Sequence, residues 1–209
     1  MIEILPNVSI HIQTNKIEEV QEALTNWLST THRKEVMTSV EQDAPFSDLG
    51  EEIPSLFAIS KADENWIWIL HNASEPPFMI ADMLSDICES TVIQAMGQST
   101  VDYYSLSVHE EGKIKRRIFC FHEETLGVEK EGEEFPFEKL LDGKDNDFFN
   151  YDDMYDFCLH FGIDILTDPS ENDGEWTIIQ VKEKDSLNGD PKRKHFAKAW
   201  GWISRFKSK

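Results

Sequence analysis

The order of apolar and polar positions divides the chain into short alternating stretches. Val8 to Ile12 alternates with a period of two and predicts a strand. Ile17, Val20, Leu24, Trp27 and Leu28 then recur at helical spacing. Glu18, Glu19 and Glu22 stand near the N-terminal end, where the helix dipole favours them, and Thr14-Asn15 offers a cap. Val36 to Val40 predicts a short strand, and the proline-containing Gln42 to Pro54 a loop. Trp66-Ile67-Trp68-Ile69-Leu70 is a continuous apolar run of strand length, the pattern of a strand covered on both faces. Beyond Pro76-Pro77, a helix is marked by Ile80, Met83, Leu84 and Ile87, with Asp82 and Asp86 outward, and Thr91 to Met96 reads as a strand.

The most explicit local signal is a hairpin, with Asp102–Val108 and Lys113–Phe121 flanking His109-Glu110-Glu111-Gly112. A three-residue loop ending on a left-handed Gly112 would pair His109 with Lys113. Tyr104, Leu106, Val108, Ile114, Ile118 and Cys120 would then share one face, and Ser105, Ser107, His109, Lys113, Lys115 and Arg117 the other. Arg116 falls on the apolar face and requires a carboxylate or a route to solvent. Glu123 to Glu134 reads as an acidic connector and Phe135 to Leu141 as a short helix. Tyr151 to Phe161 reads as a helix stopped by Gly162, and Trp176 to Val181 as a strand. Short connections and an antiparallel hairpin imply an α+β fold, a mainly antiparallel sheet with helices packed against it.

Charge changes this picture at one end. The 209 residues carry 20 Lys and Arg against 40 Asp and Glu, a net of −20. Residues 191–209 hold seven of the cations and no acid, so residues 1–190 carry 13 against 40, a net of −27. The expected organisation is an acidic α+β domain over 1–190, as one unit or as halves 1–60 and 61–190, followed by a basic amphipathic helix over 191–209. Phe196, Trp200 and Ile203 recur at i, i+4 and i+7 in that tail, a stripe that must dock on its own domain, a partner or a membrane surface. The acidic body repels nucleic acid and favours a basic protein partner.

No apolar run approaches the ~20 residues of a membrane span, and the start lacks a signal-peptide pattern. Three cysteines without a Cys-x-x-Cys argue against disulfide or zinc frameworks. A cytoplasmic protein is expected.

Templates for chemistry fail in turn. Neither phosphate-binding glycine motif nor a nucleophile elbow occurs. His109-Glu110-Glu111 and His122-Glu123-Glu124 lack the second histidine of a zinc-protease helix, with Lys113 and Leu126 in its place. The acidic stretch from Asp142 to Asp156 departs from a calcium loop at Phe149, Asn150 and Asp156. Cys120 and His122, two apart on a strand, share a face and could supply a nucleophile and its base. With His109 they are the candidates for catalysis, against the commoner role of an isolated cysteine as a small core residue. Cys158 and His160 have the same spacing, but on a helix they point apart. No cofactor or metal is expected.

From Trp66 to Ile165 the chain resembles uncharacterised bacterial proteins of similar size. The shared outline is an apolar strand, a helix with Leu84-Ser85, then Tyr104-Ser105-Leu106 and Glu111-Gly112-Lys113 of a hairpin. The resemblance implies a small α+β domain and carries over no active-site residue. Three functional readings follow: a non-enzymatic interaction or regulatory protein, of which an immunity protein would be one kind; an enzyme built around Cys120 and His122; and membrane-surface association through the tail.

Overall fold

A computed structural model describes residues 7–42, 50–98, 103–121, 127–141, 149–167, 169 and 174–182. Nine strands form one antiparallel sheet, ordered β2-β9-β3-β4-β1-β5-β6-β7-β8. They are β1 (Asn7–Gln13), β2 (Val36–Glu41), β3 (Leu56–Lys61), β4 (Trp66–His71), β5 (Val92–Gln98), β6 (Tyr103–Glu110), β7 (Lys113–Phe121), β8 (Val128–Gly132) and β9 (Trp176–Val181). The helices are α1 (Ile17–His32), α2 (Phe78–Ile87), the single turn α3 (Glu138–Leu141) and α4 (Tyr151–Leu159). The fold is α+β, as the pattern predicts.

Strand alternation sorts the core onto two faces. On the first, Ile10, Ile12, Phe57, Ile59, Ile67, Ile69, Val92 and Ile179 meet Val20, Leu24 and Leu28 of α1 and Ile80, Ala81 and Leu84 of α2. On the second, Ile93, Ala95, Tyr104, Leu106, Val108, Ile118 and Cys120 meet Met154, Phe157 and Cys158 of α4. β4 is buried on both faces, with Ile67 and Ile69 turned one way and Trp66 and Trp68 the other. A run without alternation reads correctly as a doubly covered strand. Asn150 and Asp153 cap α4 reciprocally, each side chain accepting from the other's backbone N–H. No side chain caps α1: its N-cap is Lys16, whose N–H donates to Thr14 Oγ1 at 3.3 Å.

Three details depart from expectation. The hairpin closes through a two-residue turn, with Glu111 (φ +53°) and Gly112 (φ +72°) both left-handed and Glu110 opposite Lys113. Positive φ at both positions matches the right-handed twist of the paired strands. A bulge between Val108 and His109 restores the expected sorting from Val108 onward, with Leu106 facing Ile118 and Ser107 facing Arg117, whereas on the turn side Ile114 pairs with His109 and Lys113 with Glu110, each on the face opposite to the one expected. The three-residue loop assumed that facial sorting had to be achieved at the turn, whereas the bulge achieves it beyond the first two pairs.

The second departure is the acidic connector, part of which is the edge strand β8 along β7. The third is Leu56–Lys61, which carries no alternation and forms a central strand between β9 and β4. Arg116 meets its predicted carboxylate. Its Nε donates to Glu138 Oε1 at 3.0 Å and Oε2 at 3.1 Å, both side chains buried, and Nη1 donates to the Gly132 carbonyl at 3.2 Å.

Candidate functional site

The polar residues buried on the first face gather beside α2. Antiparallel register sets Gln94 of β5 opposite Ser107 of β6, and Ser107 opposite Arg117 of β7. Two residues along β6, His109 emerges on the same face. Asp82 of α2 reaches down to it, with Oδ1 2.7 Å from His109 Nδ1, while His109 Nε2 lies 2.8 Å from Ser107 Oγ. Asp82 therefore points inward, contrary to its helical-wheel position. Ser85, one turn further along α2, accepts from the Gly112 N–H at 3.0 Å and ties the hairpin tip to the helix.

Electrostatics assign the protons. Burial lowers the pKa of His109, and the Asp82 hydrogen bond and charge oppose that shift without reversing it. The ring is neutral near pH 7. Nδ1–H donates to the carboxylate, which leaves Nε2 to accept from the Ser107 hydroxyl. Phe78 stacks on the imidazole with centroids 6.1 Å apart. The Arg117 guanidinium carbon lies 4.8 Å from the centroid of that same ring and 5.5 Å from that of Phe119. Both side-chain polar atoms of Gln94 and the Nε of Arg117 are buried without a hydrogen-bond partner among the described residues.

Asp82, His109 and Ser107 are thus connected in the order that activates a hydroxyl nucleophile. Their exposure runs the other way. His109 is fully buried and Ser107 is 1% exposed, whereas the Asp82 side chain is 33% exposed. A nucleophile must come within about 3 Å of a substrate atom, and here the solvent-facing end of the relay is the carboxylate. In this conformation the arrangement clamps α2 to the β6–β7 hairpin.

The sequence candidates do not converge. Cys120 is buried on the second face among the α4 contacts, so the sheet separates it from His109. His122, Phe196, Trp200 and Ile203 lie outside the described residues. Cys158 is buried and burial pushes its thiol up to about 12, while His160 is exposed and stacks on Phe137 at 4.2 Å. Asp152 and Asp153 of the acidic stretch that departs from a calcium loop occupy the first turn of α4, where their charge favours the helix dipole. No cluster of metal-ligating side chains occurs among the described residues, and no helix among them is long and apolar enough to cross a membrane.

Ser107 and Asp82 were not legible as site residues. The Ser-x-His spacing on one strand was visible, but the partner carboxylate comes from a helix 27 positions earlier.

A second surface is defined by charge. β8 ends the sheet, and its outer edge has no neighbouring strand among the described residues. Glu129 and Glu131 on the strand and Glu133 and Glu134 just past its end are all exposed, with Lys130 the single cation among them. No known protein family, curated protein or solved structure matches the chain.

Proposed function

We propose that the protein acts by binding a basic polypeptide rather than by turning over a substrate. The observation that carries this reading is the acidic edge of β8: exposed Glu129 and Glu131 on the strand and exposed Glu133 and Glu134 just past its end, where the sheet has no further strand among the described residues. An edge of this kind accepts an added strand through main-chain hydrogen bonds, and its glutamates select lysine and arginine on the incoming chain. Charge on an edge strand also discourages self-pairing, so the same residues would keep the free protein monomeric. The net charge of −20 supports the reading through long-range steering of cationic partners. The test is titration of the full chain with a lysine 20-mer, comparing Glu129→Lys/Glu131→Lys with the reversal Glu18→Lys/Glu22→Lys on exposed α1 positions.

One observation favours a second reading, an acyl-transfer enzyme using Ser107. The 2.7 and 2.8 Å relay sits beside Gln94 and Arg117, whose unmet donors could stabilise a developing oxyanion. It requires α2 to open over Ser107. A fluorophosphonate probe distinguishes the two: the enzyme reading expects a covalent adduct on Ser107, lost in Ser107→Ala, and the binding reading expects none.

A further inference from the structure

The register between β7 and β8 assigns each side chain of β8 to a face. Phe119 pairs with Glu129 and Arg117 with Glu131, while Cys120 pairs with Val128 and Ile118 with Lys130. Residues paired across an antiparallel ladder share a face. Arg117 belongs to the first face, where its guanidinium lies against the Phe78 ring of α2. Ile118 and Cys120 belong to the second, in the core beneath α4. Glu129 and Glu131 therefore stand together on the first face. Lys130 stands between them on the second, after Val128, which packs against that core. The edge thus presents one sign of charge to each face.

We propose that the strand accepted by this edge carries lysine or arginine at every second position, with uncharged or acidic residues between. The inference rests on the binding reading above and names the sequence pattern of its partner. An added strand continues the alternation of the sheet, so the residues it sets beside Glu129 and Glu131 are two apart, about 6.7 Å along the strand. The residue between those two turns to the second face, beside Lys130. Opposite charges across neighbouring strands stabilise and like charges destabilise. Cations two apart therefore meet two carboxylates, and a cation at the intervening position meets an ammonium. A lysine homopolymer still fits, but it sets every second ammonium on the Lys130 face.

Arg117 does not close the site. Its Nη1 is 3.9 Å from Glu131 Oε2, and the Glu131 side chain is still 62% exposed, so a second cation can approach from solvent. The pattern also selects conformation. Residues two apart share a face on a strand and diverge on a helix, so the partner must be extended to place both cations.

The test compares two labelled heptapeptides of equal composition and charge by fluorescence anisotropy on the full chain, at about 50 mM salt. One is acetyl-Thr-Lys-Thr-Lys-Thr-Lys-Thr-amide. The other is acetyl-Lys-Thr-Thr-Lys-Thr-Thr-Lys-amide, in which no two lysines are two apart. The alternating peptide should bind about threefold or more tighter, and Glu129→Lys/Glu131→Lys should abolish that preference. Equal affinities for the two peptides, both weakened by the reversal, would overturn the pattern and leave the binding edge standing. Binding of neither peptide, or affinities untouched by the reversal, would overturn the edge and the pattern together.

Discussion

Arg116 and Glu138 form a buried ion pair in which Nε of the arginine donates to both carboxylate oxygens, at 3.0 and 3.1 Å. Glu138 also accepts the Phe135 N–H at 2.8 Å, so one side chain fixes both β7 and the turn that enters α3. Removing one partner strands the other charge out of water. Glu138→Ala should therefore cost about 3–5 kcal/mol, measured by urea denaturation. The double substitution Arg116→Met/Glu138→Leu should recover most of that loss. Equal destabilisation by the single and double variants would show that packing, not the stranded charge, dominates.

Acid should weaken the protein well above the carboxylate range. Burial lowers both His11 and His71 to about 3, against an ordinary 6.5. Below pH 6.5 the unfolded chain binds these two protons and the folded chain does not. The stabilisation is complete above 6.5 and is lost progressively as pH falls towards 3. Between pH 6 and 4 the slope from this pair approaches roughly 3 kcal/mol per pH unit, the sum of one proton taken up by each ring in the unfolded chain. Denaturation midpoints measured across that range should show it, and His11→Phe should halve this contribution. A stability flat from pH 7 to 5 would contradict the burial of both rings.

All three cysteines are free and buried, and burial raises the thiols of Cys88 and Cys158. Ellman's reagent should find no fast-reacting thiol in the native protein and three after unfolding. A rapid native reaction at Cys120 would revive the cysteine as a nucleophile.

Gly132 (φ +83°) is where β8 closes on β7, and an added Cβ would stand 2.0 Å from the Lys115 carbonyl oxygen. Gly132→Ala should cost at least ~2 kcal/mol and free the β8 amides to exchange, since backbone must move. Gly50, which has nothing within 4 Å, should tolerate alanine within ~0.5 kcal/mol.

Local patterning was enough for the strongly periodic elements. The stripe Val20-Leu24-Leu28 finds α1, the Trp66–Leu70 run finds β4, and Arg116 on an apolar face announces a buried partner. Leu56–Lys61 escaped because a short strand buried on both faces has no polar beat to mark it. β8 escaped because its glutamates resemble a connector, and only pairing with β7 makes them a strand. The relay escaped for a related reason. Ser107 and His109 share a strand face by local alternation, but Asp82 joins them only when α2 packs across the sheet, a tertiary fact that no spacing encodes.

The acidic β8 edge is tested most directly by calorimetric titration with a lysine 20-mer. The account predicts saturable one-to-one binding that falls steeply between 50 and 200 mM salt, on the order of tenfold or more. It further predicts that Glu129→Lys/Glu131→Lys weakens binding at least about tenfold, while Glu18→Lys/Glu22→Lys changes it by less than about threefold. Equal losses from the two reversals would mean that net charge alone attracts the peptide, and would contradict a binding edge at β8.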